Sequence, residues 1–162
     1  MLDPLSIVAS TVALGTAAEA ARKLCIEICQ FHQTFKNLEV DAKDFANKIQ
    51  LYGCIIDNAR LAINKYAFKN RRSCALRQMR RDQVIEQLVE QASSIIESLR
   101  KCAPEIKEQG SKRGKFMVGF MWRLQQAKIN ILQATMESNK VSFQVIMSTL
   151  ILEDSPNNTE EV

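Results

Sequence analysis

The chain has 162 residues, enough for one domain with its own core and too few for two comfortable ones. It is 46% hydrophobic and 25% charged, and its five Gly and three Pro are too sparse for the many turns of a β-sandwich or barrel. The net charge of +4 is uneven: residues 1–68 balance, 69–128 carry fourteen basic and six acidic side chains, and 129–162 carry one basic and five acidic, so the middle of the chain suggests an anionic partner.

Asp3-Pro4 reads as a helix start, with a capping carboxylate followed by a proline at the first helical position, where a missing N–H costs nothing. Ile7, Thr11, Leu14, Ala18, Ala21, Cys25 and Ile28 then recur in steps of four and three, which keeps one stripe on one helix face to about Gln33. Leu5 to Ala18 is uncharged, but at ~1.5 Å per residue it spans only ~21 Å, short of a ~30 Å hydrocarbon core. The first basic residue is Arg22, which argues against a secretory leader.

The second run is the most regular: Leu38, Ala42, Phe45, Ile49, Tyr52, Ile56, Ala59, Ile63 and Tyr66 keep strict 4-3 spacing. Gly53 interrupts it, a cost of about 1 kcal/mol relative to Ala in an exposed helix interior. Close approach of a neighbouring helix gives that glycine a purpose. A basic stretch, Lys69 to Arg81, reads as the connection to a third run at Ile85, Leu88, Ala92, Ile95, Leu99 and Cys102, which Pro104 should end. After a polar loop over 105–114, the last long segment starts near Lys115 and places Leu124, Ala127, Ile131, Ala134, Ser138, Val141 and Val145 on its expected buried stripe. Phe143, Met147 and Leu150 widen that face. Residues 153–162 read as a flexible acidic tail.

Amphipathic helices with short links bury their stripes only against one another. The expected fold is therefore all-α: a four-helix or five-helix antiparallel bundle over residues 3–152, followed by the tail.

Few groups suited to catalysis stand out. With one histidine, His32, no multi-histidine metal site can form, and its place near the end of the first helix suits interaction with the helix dipole. Five cysteines at irregular spacing imply reduced thiols and a cytoplasmic setting rather than a disulfide framework. Cys25 and Cys29 lie one turn apart on or beside the apolar stripe, where cysteine acts as a small hydrophobe. No phosphate-binding GxxxxGK[ST] loop occurs. No enzyme, cofactor, metal or small-molecule substrate is expected.

Three features could carry function by binding. The first is the basic cluster Lys69, Arg71, Arg72, Arg77, Arg80 and Arg81, which could dock on an anionic membrane, each cation contributing on the order of 1 kcal/mol at best. The alternative is a solvated link, and nucleic acid is a weaker partner because no recognition motif or aromatic platform accompanies the charge. Lys112, Arg113 and Lys115 form a second basic group whose distance from the first depends on the course of the helices. The second feature is Phe120 with Trp122, an interfacial anchor or else core. The third is the first helix, whose Leu5, Ile7, Val8, Val12 and Leu14 could engage lipid, while its small residues suit close helix packing.

Leu2-Asp-Pro-Leu-Ser-Ile-Val-Ala-Ser-Thr-Val-Ala-Leu14 resembles the opening of fungal N-terminal domains of STAND proteins, the NLR-like receptors, within the HeLo-like group. The likeness extends more loosely through the second helix and the last one, Phe116 to Leu152. The resemblance implies a signalling or cell-death execution module that oligomerises when a receptor is triggered. It implies a membrane-active role for Leu5 to Leu14. It also implies either a stand-alone relative or the N-terminal part of a larger receptor. The expected function is a non-enzymatic, self-assembling interaction domain at an anionic membrane, with a membrane-independent adaptor and a nucleic-acid binder as alternatives.

Overall fold

The 4-3 apolar spacing becomes four long helices, and a short fifth forms within the basic connection. A computed structural model of the chain describes residues 4–34, 39–69, 73–102 and 112–155, and its side chains over 7–30, 42–67, 73–102 and 125–155. Helix α1 is Pro4–Thr34, α2 Glu39–Lys69, α3 Cys74–Arg81, α4 Val84–Cys102 and α5 Lys112–Glu153. The fold is all-α, a helical bundle. Helix α1 lies along α2 and more lightly against α4, while α5 packs on both α2 and α4.

The first three stripes are buried as their spacing requires. On α1, Thr11, Leu14, Ala18, Ala21, Cys25 and Ile28 face the core, with Ile7 half-buried at its edge. On α2 every described member of the run, Ala42 to Tyr66, is buried, and on α4 the whole run from Ile85 to Cys102 is buried. Gly53 sits where α1 and α2 approach closely: a Cβ there would lie 3.0 Å from the Ala21 Cβ and 3.5 Å from the Ala18 carbonyl oxygen.

Of the face expected on α5, Phe143 and Leu150 are buried and Met147 packs at the core's margin, Leu124 lies outside the described side chains, and the rest of the stripe is on the wrong side. Ala127, Ile131, Ala134, Ser138, Val141 and Val145 are exposed, and the buried face is formed by Ile129, Met136, Asn139, Phe143, Ile146 and Leu150, with Leu132 and Met147 packed at its margin. Ile129, Leu132, Met136, Asn139, Phe143, Ile146 and Leu150 also step by three and four, offset by two residues. Two residues at 3.6 per turn is a rotation of roughly 200°, the opposite side of the helix. Both stripes satisfy the period, and bulk decides between them. Burying Met, Phe and Leu removes more apolar area from water than burying Ala, Ser and Val, at roughly 25 cal/mol per Å². Asn139 is tolerated inside because Tyr52 Oη donates to its Oδ1 at 2.6 Å and its own Nδ2 donates to Gln91 Oε1 at 3.1 Å. That chain of hydrogen bonds ties α2, α5 and α4 together.

Helix α3 replaces part of the expected link. Ser73 caps it, its hydroxyl accepting from the Leu76 N–H at 3.0 Å, and Leu76 is buried. At its other end Gln83 adopts φ 53°, a left-handed turn that lets α4 start at once. Glu153, expected to open a loose tail, instead ends α5 as an ordered residue, and 156–162 lie outside the described residues.

Candidate functional site

The structure divides the candidate residues between core and surface. Of the set on α1, Leu14 is fully buried, Ile7 packs against the core, and Val8 and Val12 point outward at 45% and 64% exposure. Leu5 lies on α1 with its side chain outside the described residues. In the folded bundle the described members of this set do not share one face. Among the described residues no helix is long and apolar enough to cross a membrane.

The basic cluster is also divided. Arg77 and Arg81 are exposed on α3 and Arg80 is half-buried there. Lys69 ends α2, its side chain outside the description, as are Arg71 and Arg72 altogether. Arg77 Nε donates to the Ser73 carbonyl at 3.4 Å and its Nη2 to Cys74 Sγ at 3.1 Å, which holds the guanidinium over the first turn. The helix itself contains three arginines and no acid. Phe120 and Trp122 lie on α5 with side chains outside the described residues, as does His32 on α1.

What fixes α3 in place was not foreseen. The Glu153 carboxylate accepts from Ser73 Oγ at 2.5 Å and from the N–H groups of Cys74 at 2.6 Å and Ala75 at 3.2 Å. An anion there satisfies otherwise unpaired N–H groups and complements the helix dipole. Partial burial acts to raise the Glu153 pKa, but the hydrogen bonds from Ser73, Ala75 and Cys74 and the charge of Arg77 outweigh it, so the net pKa is lowered. This contact puts the end of α5 beside α3. Lys112, at the other end of a 42-residue helix, therefore stands about 60 Å away, at the opposite end of α5 from the arginines of α3.

Two further surfaces stand out among the described residues. Between α1 and α4 runs a groove of about 630 Å³ with Val12, Leu24 and Ile96 among its walls and Glu19, Lys23, Glu97 and Arg100 around it. Its mixed charge matches no one ligand class. The second surface is the outer face of α5, where Ile131, Val141, Val145 and Leu152 are 53–68% exposed. Thr135, Ser142 and Thr149 share this side, and each hydroxyl donates to the carbonyl four residues back, at 3.0, 3.2 and 2.9 Å. From Ala127 to Leu152 the charged residues are Lys128, Glu137 and Lys140, and each lies off the line through Ile131, Ser138 and Val145. The signal for this face was present in the sequence, since one helix carries two heptad stripes.

Reactive chemistry is scarce. Among the described residues no three His, Cys, Asp or Glu side chains gather where a metal could sit. All five cysteines are free. Burial, reinforced by the neighbouring Cys29, pushes the Cys25 thiol up to about 11, which makes it a poor nucleophile at neutral pH. Burial likewise raises the Tyr52 phenol, so it stays a neutral donor. No family model, characterised protein or solved structure matches the chain.

Proposed function

We propose that the chain is a non-enzymatic interaction module that acts by self-association and docks on anionic membrane, in the manner its resemblance to HeLo-like N-terminal domains implies. The observation that carries this reading is the outer face of α5, apolar and small along its line, on a helix whose other face already fills the core. A helix with two apolar faces is ordinarily buried on both. An antiparallel, up-and-down course of the helices fits this reading: Gly15 on α1 nears Arg60 on α2, whereas Gly53, earlier on α2, nears Ala21, later on α1.

Membrane docking has separate support in Arg81, exposed in the last turn of α3, with Arg77 exposed on the same helix although its charge already acts on the Glu153 carboxylate. Their attraction to acidic lipid headgroups adds up without a specific pocket. The first helix would stay folded on α2 until a trigger frees the buried Leu14 and the half-buried Ile7 to join the already exposed Val8 and Val12.

Chemical cross-linking with and without anionic vesicles, followed by flotation, tests the reading. Higher-order species in solution or on vesicles are expected, with flotation reduced by Arg77→Ala plus Arg81→Ala. A chain monomeric in both settings would overturn self-association. Self-association without flotation would leave the membrane-independent adaptor. Binding that prefers RNA or DNA and falls steeply with salt would favour the nucleic-acid alternative.

A further inference from the structure

We infer that the outer face of α5 pairs with the same face of a second copy, antiparallel, in a two-helix seam over Ala127–Leu152. The inference rests on the self-association reading and names the surface, the occupant and the orientation. The seam residues are Ala127, Ile131, Ala134, Ser138, Val141, Val145, Ser148 and Leu152, all exposed and spaced by three and four. Such spacing over three to four heptads is what a helix pair needs to keep one seam together. At 1.5 Å per residue the seam is about 38 Å long.

Size selects the orientation. In an antiparallel pair centred between Ser138 and Val141, Ala127 of one copy meets Leu152 of the other. Ile131 meets Ser148, Ala134 meets Val145, and Ser138 meets Val141. Every layer then sets one large residue against one small one, the condition for an evenly filled interface. A parallel pair would stack Ile131 on Ile131 and Ser138 on Ser138, and its layers would alternate between crowded and empty.

Charge is consistent with the same orientation. Lys128 is exposed at one end of the seam and Asp154 lies just beyond the other. Antiparallel pairing brings Lys128 of each copy towards Asp154 of the other, whereas parallel pairing sets Lys128 beside Lys128. Glu153 takes no part, since its carboxylate is already held on α3. The hydroxyls of Thr135, Ser142 and Thr149 need no water, because each already donates within its own helix. Their methyl and methylene groups can meet a partner without leaving a donor unpaired.

Sedimentation of the full chain across a dilution series tests the seam. The expected result is a concentration-dependent dimer, weakened roughly a hundredfold by Val141→Lys, which buries an unpaired charge at the centre. Helical content and thermal unfolding of that variant's monomer should match the wild type, since Val141 is outside the core. Orientation is read by disulfide trapping in a background with Cys54→Ser and Cys74→Ser. Ala127→Cys and Leu152→Cys chains should cross-link when mixed and neither should link to itself. A chain that is monomeric throughout, a dimer indifferent to Val141→Lys, or self-linking of Ala127→Cys would overturn the proposal. Assembly that appears only on vesicles, or that ignores Val141, would leave self-association standing on another face.

Discussion

Tyr52 and Asn139 meet inside the bundle, and their hydrogen bond joins α2 to the buried face of α5. Neither side chain can reach water, with Tyr52 at 0% and Asn139 at 3% exposure. Tyr52→Phe removes the donor and leaves Asn139 Oδ1 buried without its O–H partner, so unfolding stability should fall by about 1–3 kcal/mol in urea titration. Asn139→Leu added to it should recover part of the loss, because Gln91 is exposed and can turn to solvent. A Tyr52→Phe protein as stable as wild type would mean the pair contributes nothing. Gly53 gives a second residue-level expectation. Gly→Ala in a helix interior ordinarily gains about 1 kcal/mol. Here the added methyl would meet the Ala21 Cβ at 3.0 Å, and a methyl has no flexible end to move aside. Gly53→Ala should therefore destabilise. A full propensity gain in thermal melts would show that α1 yields at little cost.

Helix α3 shows how a segment with few apolar residues becomes ordered. Eight residues are too few to hold a helix by propensity alone. The Ser73 cap, buried Leu76 and the Glu153 carboxylate supply what is missing. The lowered Glu153 pKa fixes the sign of the pH dependence. A depressed carboxylate stabilises the fold fully above its unfolded pKa and loses that contribution as pH falls through its folded value. The stability difference between wild type and Glu153→Gln should thus be constant near neutrality and vanish on acidification. A difference that persists into strong acid would show that the carboxylate charge is not its source. Amide exchange at Cys74 and Ala75 should quicken in the variant.

For the whole molecule, the separation of the two basic groups matters more than their sum. If a single copy docks end-on through α3, its Lys112, Arg113 and Lys115 stand about 60 Å from the membrane and contribute nothing to it. In the Val141→Lys background, which keeps the chain monomeric, replacing those three by Ala should leave flotation unchanged, while Arg77→Ala plus Arg81→Ala reduces it. Equal losses from both sets would mean that the bundle lies flat on the surface. The seam on α5 runs between the two ends, so its pairing would carry an α3 at each pole of the dimer.

The amino-acid sequence by itself determined the helical class, three of the four long stripes and the reason for Gly53. In α1, α2 and α4 one 4-3 stripe stands out, and amphipathic periodicity then leaves a single face to bury. On α5 it pointed to the wrong stripe, because two stripes on opposite faces satisfy the same period. Tertiary packing chose Ile129, Met136 and Phe143, whose bulk fills the space facing α2 and α4, and so turned Ile131, Val141 and Val145 outward. Only the folded chain could join Glu153 to Ser73, eighty residues apart, or set Tyr52 on Asn139. Local spacing governs which residues share a face. Which face meets which neighbour depends on volume and polar groups brought together from distant parts of the chain, and no single segment encodes it.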